Sequence, residues 1–351
     1  MFRRNKLKKI FAFIMALTLI TMVFSGCGRS QKVVNVYNWG DYINEELLDD
    51  FEKETGIKVV YDMFATNEDM WAKFTQGNTD YDVIFPSEYI IEKMIREDRI
   101  AELELSKLPN IKNIDPAFSN LEFDPGYQYS VPYFWGSVGI IYNKNMVDEV
   151  IDSWSVLWDE KYAQQILMMD SQRDSLMVAL KLLGYSMNTK NEAELEEAKA
   201  LLIKQKPLVL AYVGDNVKDL MKQGEAAMAV CWSGEAYAIM QESDDFAYIV
   251  PKEGTNYWFD NIVIAKNAPH KEEAYQFINF LLRGDVGKKN TDYIFYGTPN
   301  MATYELLDDD SKEILGRFPF EELQKNSEIF KDPQEFIHKY NQIWTEFKIA
   351  Q

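Results

Sequence analysis

The chain has 351 residues and is strongly acidic, with 56 Asp and Glu against 37 Lys and Arg and a formal net charge of −19. Such a charge repels nucleic acid and anionic lipid, so neither is expected as a partner. Two cysteines are too few for a disulfide framework, and stability must therefore come from packing of the hydrophobic residues, which make up 47% of the chain.

The first 26 residues resemble a secretory signal. Five Lys and Arg residues precede the apolar run Ile10 to Phe24, which is short for a membrane span and leads into Ser25, Gly26 and Cys27. That triplet resembles the end of a bacterial lipobox and predicts cleavage before a lipidated Cys27, with an uncleaved N-terminal anchor as the alternative. Both interpretations tether the rest outside the membrane. Cleavage would leave 325 residues with a net charge of −24, enough chain for two cores.

Short strands and helices alternate after a polar linker. The predicted strands are VVNVYNW, IKVVYDMF and YDVIFP, and the predicted helices are EELLDDFEKETG, which stops at Gly56, NEDMWAKFTQG, with Asn67 as candidate cap, and SEYIIEKMIRED. This alternation predicts a parallel sheet with right-handed crossovers, in which ligands bind beyond the carboxyl ends of the strands.

The middle of the chain changes character at GYQYSVPYFWGSVGIIYN, whose aromatic and glycine content favours an antiparallel or crossover segment. From Ser153 to Trp232 the αβαβ pattern returns, with strands ILMMD, PLVLAYV and AAMAVCW and helices near residues 174–183, 192–206 and 216–224. NYWFDNIVI is predicted as a further strand, and two amphipathic helices follow, HKEEAYQFINFLLRG and one at the C terminus. This order fits two α/β lobes joined by more than one crossing.

Catalytic motifs are scarce. The two histidines, His270 and His338, are predicted as solvated helix residues, which argues against a histidine triad or a zinc site. The sequence contains no GxSxG, P-loop, CxxC pair or GxGxxG after a strand. We therefore expect no catalytic residue, no metal and no cofactor.

Aromatic residues instead stand beside carboxylates at predicted strand ends. Asp41 and Tyr42 follow Trp39, Tyr89 follows Ser87, and an extended NYWFDNIVI places Trp258 and Asp260 on one face. Aromatic faces attract ammonium groups, and a buried carboxylate needs a cation, so the pattern predicts an amine site. Taken singly, each pair could be a solvated strand edge, and Asp41 or Asp174 could be a helix cap or first-turn acid.

At these residues the chain resembles the spermidine/putrescine-binding proteins that deliver polyamines to ABC importers. The likeness extends over nearly the whole mature chain, and its most specific motifs are PYFWG, YWFDN and YGTPN. The resemblance implies the α/β periplasmic-binding-protein fold, with two hinged lobes, a ligand cleft between them and no catalysis. The expected lobes are residues 32–138 plus 259–306 and residues 139–258 plus 307–351. A monomer on the extracytoplasmic face of the membrane, or in the periplasmic space of an envelope with an outer membrane, and a permease partner are also implied.

The resemblance also implies a set of ligand-binding residues. The aromatic walls fall on Trp39, Tyr42, Tyr89, Trp232, Trp258 and Tyr296, the amine-binding carboxylates on Asp174 and Asp260, a polar contact on Ser87 and an acidic position on Asp41. Ser171 stands where some spermidine binders have a second Asp, and a C-terminal polar residue, often Gln, has no clear counterpart around Lys331. Both departures affect the expected spacing of the amine-binding groups, and hence whether spermidine or putrescine is preferred.

Two other functions remain open at this level. The same fold could bind a sugar, a peptide or a metal complex, although a sugar site usually mixes Asn, Arg or Lys with the acids. Alternatively, Asp174 and Asp260 could serve as acid and base of a secreted hydrolase if they lay roughly 5–9 Å apart. The acids at the strand ends favour a cationic ligand over both.

Overall fold

A computed structural model describes residues 31–77, 80–315, 323 and 325–350. The predicted signal segment and the predicted lipidation site Cys27 lie outside these residues. Across the described ranges, no helix combines the length and the apolar composition needed to span a bilayer.

Strands and helices alternate through most of the described chain. The strands are β1 (Val33–Trp39), β2 (Lys58–Phe64), β3 (Val83–Ile84), β4 (Ser130–Asn143), β5 (Ile166–Met169), β6 (Val209–Val213), β7 (Met228–Trp232), β8 (Phe246–Ile249) and β9 (Tyr257–Ile264). The helices are α1 (Glu46–Thr55), α2 (Asn67–Thr75), α3 (Glu88–Arg96), α4 (Gln172–Leu182), α5 (Glu192–Gln205), α6 (Val217–Lys222), α7 (Ser233–Glu242), α8 (Lys271–Leu281), α9 (Gly284–Ile294), α10 (Met301–Leu306), α11 (Asp309–Leu315) and α12 (Ile337–Ile349). The predicted strands and helices are confirmed to within a few residues.

The first half of the fold is built on β1, which is parallel to β2 on one side and to β3 on the other. Val34 and Val36 of β1 are fully buried, as expected for a central strand covered on both faces. The register pairs Trp39 with Phe64, so β1 and β2 end together at one edge of the sheet. That edge forms one wall of the cleft described below.

Strand β4 is shared by the two halves of the fold. Its first part, residues 130–137, pairs antiparallel with β9, which also pairs with β3. Its second part, residues 138–143, pairs with β7 and β8 of the other half, where β5 is parallel to β6 and β7. Of the two alternatives predicted for the middle of the chain, antiparallel or crossover, the structure shows antiparallel pairing, and this segment connects two α/β halves.

One predicted helix cap is wrong. The cap of α2 is Thr66, whose hydroxyl accepts a hydrogen bond from the Asp69 backbone N–H at 3.1 Å. Asn67 is instead the first helical residue, and its buried side chain donates to the Ser87 hydroxyl at 3.0 Å. Both residue types cap helices well, and the nearby Ser87 gives Asn67 a different partner.

His270 also differs from its predicted solvated state. Its Nδ1 lies 3.0 Å from an oxygen of the buried Asp82, and its backbone N–H donates to the same carboxylate at 2.8 Å. His338 is exposed on α12, as predicted.

The connection into β9 depends on a glycine. Gly254 has φ +86°, and a Cβ there would lie 1.9 Å from the Asn326 carbonyl oxygen. We expect Gly254→Ala to lower the free energy of unfolding by roughly 3 kcal/mol or more, because both the backbone conformation and the close approach penalise a side chain. Urea unfolding measures the change.

Gly56, which ends α1, is the matched control. Its φ is +70°, but a Cβ there meets nothing within 4 Å. Gly56→Ala should therefore cost only about 1 kcal/mol, the conformational part of the effect. Equal losses in the two variants would contradict the role assigned to the Asn326 contact.

Candidate functional site

A cavity of about 410 Å³ opens between the two halves, at the carboxyl ends of β1 and of the second-half strands. Its volume is within the range of ~300–1,000 Å³ usual for small-molecule sites. The structure brings all eleven sequence-predicted site residues to its walls. They are Trp39, Asp41, Tyr42, Ser87, Tyr89, Ser171, Asp174, Trp232, Trp258, Asp260 and Tyr296. Contact with a ligand remains a prediction for each of them.

Asp260 is a buried acid in the wall of the cavity. The alternation of β9 points Trp258 and Asp260 to the cavity, as predicted for an extended strand, and Asn256, which directly precedes β9, also lines it. The Asp260 side chain is buried, and its Oδ1 accepts a hydrogen bond from the Ser87 hydroxyl at 2.6 Å. Burial raises the pKa of Asp260 to about 7, and the Ser87 hydrogen bond opposes this shift. Within the described chain, no Lys, Arg or His forms an ion pair with it.

Asp174 is a second buried acid, in the first turn of α4. Its carboxylate accepts a hydrogen bond from the Ser171 hydroxyl at 2.6 Å, and the Asn256 amide lies 3.5 Å from its other oxygen. Burial raises the pKa of Asp174, against the effect of these two donors. Ser171 therefore holds the acid three residues further along the chain through its hydroxyl.

The aromatic wall is a connected cluster of rings. The Tyr296 ring packs edge-on against Trp258, with centroids 4.9 Å apart, and against Tyr42 at 5.5 Å. Two glycines permit this packing: a Cβ on Gly136 would lie 2.6 Å from the Trp258 ring, and one on Gly234 would lie 2.5 Å from the Tyr296 ring. The cluster gives the cavity a rigid apolar side beside Asp260.

Asp41 lies at the exposed rim of the cavity and has a cation partner within the protein. Its Oδ2 is 2.6 Å from Nζ of Lys218 on α6, and its Oδ1 accepts a hydrogen bond from the Tyr293 hydroxyl at 2.8 Å. The ion pair joins the first half of the fold to the second. Asp41 is therefore placed among the predicted residues, but its charge is already neutralised by Lys218.

Glu235 is a buried cavity residue that was not predicted from the sequence. It lies in the first turn of α7, three residues after Trp232, and its Oε2 accepts a hydrogen bond from the Tyr296 hydroxyl. Burial raises the pKa of Glu235 to about 7, opposed by this hydrogen bond and by the charge of Lys218. Glu235 follows a Trp at a strand end by about one helical turn, and this spacing could have predicted it as a cavity residue.

Glu88 is a second unpredicted acid in the cavity wall and lies between two predicted residues, Ser87 and Tyr89. Its Oε2 accepts a hydrogen bond from the Phe259 backbone N–H at 3.0 Å. Burial raises the pKa of Glu88 to about 8, so the side chain is largely neutral at pH 7. The side chain thus contributes little charge to the cavity.

Arg173 is the one basic residue among the described residues that line the cavity. Its buried guanidinium packs 4.3 Å from the Phe330 ring centroid and donates to Asn188 Oδ1 at 3.1 Å and to the Lys331 carbonyl at 3.4 Å. Phe330 lines the cavity at the C-terminal segment, whereas the Lys331 ammonium pairs with Glu122 at 3.0 Å. Arg173 is thus engaged by Asn188, which lies beyond the end of α4, and by the C-terminal segment.

The cavity is strongly acidic. Nine acids line it, against Arg173 alone as a base among the described residues, and four of the nine are buried. The nine are Asp41, Glu68, Asp69, Glu88, Asp170, Asp174, Asp215, Glu235 and Asp260. In the described part of the chain, no three His, Cys, Asp or Glu side chains form a group that could hold a metal ion. The electrostatic environment of the cleft therefore favours a cation with its own hydrogen-bond donors.

Two α/β halves with a cleft between them are the architecture of periplasmic binding proteins, and sequence comparison agrees. Residues 46–314 match the family of bacterial extracellular solute-binding proteins. The chain belongs to this family of solute-binding transport proteins.

Individual relatives make the likeness more specific. The chain is 41% identical to the spermidine/putrescine-binding periplasmic protein of Salmonella typhimurium over 273 residues, which is 77% of this chain and 78% of the relative. It is 33% identical to the putrescine-binding periplasmic protein SpuD of Pseudomonas aeruginosa, in an alignment that covers 95% of this chain and 97% of the relative. The resemblance stated from the motifs is confirmed.

A solved structure supports the same fold. A Listeria monocytogenes protein assigned as a spermidine/putrescine ABC transporter superposes with a TM-score of 0.87 at 42% identity, covering 91% of this chain and 100% of that one. The predicted periplasmic-binding-protein fold is therefore confirmed.

Proposed function

We propose that this protein captures a polyamine, spermidine or putrescine, in the cleft and delivers it to an ABC import permease without catalysing a reaction. The observation that carries the proposal is that the buried carboxylates Asp174 and Asp260 have no ion-pair partner in the described chain and lie in an aromatic-walled cavity lined by nine acids and one base. A polyamine offers ammonium groups for the carboxylates and methylene chains for the rings. The names of the relatives at 33–41% identity support the same ligand class.

The environment of the buried acids favours a polyamine over the alternatives. Asp174 and Asp260 are each held by a neutral hydroxyl, so their charges remain available to a ligand cation. A sugar has no charge to compensate them, and a buried uncompensated carboxylate costs several kcal/mol. Hydrolysis by the same two acids has no independent support in the cavity, whereas the aromatic cluster is accounted for by ammonium and methylene contacts.

Binding would proceed by closure of two lobes, residues 32–138 plus 259–306 and residues 139–258 plus 307–351. The switch of β4 partners between Ser137 and Val138 supports the first boundary. Because Tyr257 and Trp258 pair with β4 in the first sheet, we propose to assign residues 257–258 to the first lobe. The Asp41–Lys218 ion pair and the Tyr296–Glu235 hydrogen bond would then form as the lobes meet.

The relatives' periplasmic location supports an extracytoplasmic protein. We propose that residues 1–26 are a signal peptide, that Cys27 carries lipid and that the protein works as a monomer on the membrane surface. Metabolic labelling with a radioactive fatty acid tests this directly: wild type should incorporate label and Cys27→Ala should not. Label in both forms, or in neither, would refute lipidation at Cys27.

Titration calorimetry with putrescine, spermidine, maltose and glutamate tests the ligand class. Micromolar or tighter binding of at least one amine, with no heat from maltose or glutamate, is expected. Binding of maltose or glutamate alone would overturn the polyamine assignment while leaving the fold and family intact.

Amine binding should strengthen as the pH rises from 6 to 8. Burial raises the pKa of both Asp260 and Glu235 to about 7, so below that pH each must release a proton before it pairs with an ammonium. Isolated alkyl ammonium groups keep their charge to about pH 10. Repulsion among its ammonium groups lowers the first dissociation of spermidine, so the range ends at pH 8, where most of the ligand is still fully charged. We expect Kd for spermidine to fall about tenfold or more between pH 6 and 8 at constant ionic strength.

Circular dichroism at each pH confirms that the protein stays folded. A flat affinity profile over this range would contradict the protonation of the cleft acids.

A further inference from the structure

The loop between β1 and α1, residues 40–44, carries two of the predicted ligand residues, Asp41 and Tyr42. Asp41 has φ +48°, in the left-handed region that residues other than glycine seldom adopt. Such a backbone conformation persists only where neighbouring groups hold it. The contacts of this loop therefore determine where the Tyr42 ring lies.

Asn290, on α9, holds the loop through two hydrogen bonds of opposite direction. Its Oδ1 accepts from the Asn44 backbone N–H at 2.9 Å, and its Nδ2 donates to the Tyr133 hydroxyl at 2.7 Å. That hydroxyl in turn donates to the Tyr42 carbonyl oxygen at 2.9 Å. The directions are fixed, because a backbone N–H can only donate and a carbonyl oxygen can only accept. One side chain of α9 thus holds the loop backbone directly at Asn44 and, through Tyr133, at Tyr42.

Burial makes this chain of hydrogen bonds difficult to replace. Asn290, Tyr133 and Tyr42 are each more than nine-tenths buried, so a group left unpaired there has little access to water. The Tyr133 ring also packs edge-on against the Tyr42 ring, with centroids 5.5 Å apart. Removing the amide or the hydroxyl would therefore free the loop rather than exchange one partner for water.

Lys289, the neighbour of Asn290 on α9, contacts a different part of the chain. Its ammonium pairs with Glu46 and Asp50 of α1, both at 2.9 Å, and joins the two helices at the surface. The Asn290 hydrogen bonds lead instead to the backbone of the loop. Packing of α1 on α9 and placement of the loop thus depend on different side chains.

We propose that Asn290 is a positioning residue for amine binding and that it acts through Tyr133 on the loop that carries Tyr42. The inference rests on the proposed polyamine function and adds two residues that act at a distance from the ligand, since neither Asn290 nor Tyr133, both within the described chain, lines the cavity. With the loop fixed, the Tyr42 ring stays edge-on against Tyr296, at a centroid separation of 5.5 Å, in the wall that also contains Asp260. A ring that is placed before the ligand arrives needs less ordering on binding.

Titration calorimetry with spermidine tests this role in Asn290→Ala and Tyr133→Phe. Each variant interrupts the hydrogen-bonded chain from α9 to the Tyr42 carbonyl, so Kd for spermidine should rise at least fivefold in both. Tyr133→Phe keeps the ring and removes only the hydroxyl, so it provides the test even where Asn290→Ala does not fold. Circular dichroism and urea unfolding establish that each variant is folded in the titration.

Asn300→Ala is the matched control, because Asn300 is a buried asparagine of the same half whose hydrogen bonds lead elsewhere. Its Nδ2 donates to the Leu282 carbonyl at 2.9 Å, and its Oδ1 accepts from the Thr303 backbone N–H at 3.0 Å. These three residues belong to the described chain, and none of them lines the cavity. Asn300→Ala should lower stability, as Asn290→Ala does, but change Kd for spermidine less than twofold.

A double-mutant cycle separates placement of the Tyr42 ring from a general loss of structure. Because Asn290 acts through this ring, Asn290→Ala should raise Kd less than twofold further in a Tyr42→Ala background. A structural role independent of Tyr42 predicts the full loss in both backgrounds.

Unchanged affinity in Tyr133→Phe, or a fivefold loss from Asn290→Ala in the Tyr42→Ala background, would overturn the positioning role while leaving the polyamine function standing. Equal losses of affinity in Asn290→Ala and Asn300→Ala would overturn it as well. Failure of wild type to bind either amine would instead refute the proposed function, and the inference with it.

Discussion

Replacing Asp260 by Asn should weaken spermidine binding at least 100-fold, or about 2.7 kcal/mol. The buried carboxylate is held by the Ser87 hydroxyl and has no ion-pair partner in the described chain, so a ligand ammonium would be its counter-charge. An amide keeps the size of the side chain but cannot neutralise that ammonium in a desolvated cleft. Calorimetric titration of the variant measures the loss.

The same substitution should stabilise the free protein above pH 7. Because burial raises the pKa of Asp260 to about 7, the folded state holds a proton that the unfolded state has released, and stability falls as pH rises from about 4 to 7. Asn removes this penalty, so the variant should gain about 1–3 kcal/mol in urea unfolding at pH 8. Asp244→Asn, at an exposed position, controls for net charge and should alter neither property. Normal spermidine affinity in Asp260→Asn would contradict the site.

Arg173→Ala should lower the free energy of unfolding by about 3 kcal/mol or more. The buried guanidinium lies among three aromatic rings, with centroids 4.3 Å away for Phe330, 4.9 Å for Tyr340 and 5.3 Å for Tyr89. It also donates to Asn188. Truncation leaves a cavity and removes these contacts, which connect α4 to the C-terminal segment. Urea unfolding provides the measurement.

Two other arginine substitutions separate packing from charge. Arg173→Lys keeps the charge but loses the flat stacking surface, so an intermediate loss is expected. Arg99→Ala removes an exposed arginine and should change stability by less than about 0.5 kcal/mol. A loss at Arg173→Ala no larger than that at Arg99→Ala would show that the ring contacts contribute nothing.

Most of the fold could be predicted from patterns within short segments of the sequence. Strand alternation in NYWFDNIVI correctly predicted that Trp258 and Asp260 share a face, because side-chain direction in a strand depends only on the backbone. The positions of Trp39 and Trp232 at strand ends were also predictable, since each residue closes a short apolar segment of strand type. These are properties of short segments and need no knowledge of distant partners.

The predictions that were wrong or incomplete all concern side chains whose partners lie far away in the sequence. Asn67 was predicted as a helix cap, but its side chain instead donates a hydrogen bond to Ser87, twenty residues away. Asp41 was assigned to the ligand site without its ion pair to Lys218, which is 177 residues further along the chain. Glu235 becomes a cavity residue only because Tyr296 from the other half meets it. The periodicity of helices and strands in the sequence does not indicate such long-range pairings.

The two glycines beneath the aromatic wall have a consequence for how the cleft could evolve. Gly136 brings backbone directly against the Trp258 ring within the first half, and Gly234 of the second half approaches the Tyr296 ring across the cleft, so each ring has little room to turn in this arrangement. A ring that is already immobile loses little side-chain entropy on binding, so more of each contact appears as affinity. A substitution that tilts either ring would bring it into contact with the backbone of the glycine beneath it. A change of ligand size therefore requires coordinated changes in two strands or helices rather than in one.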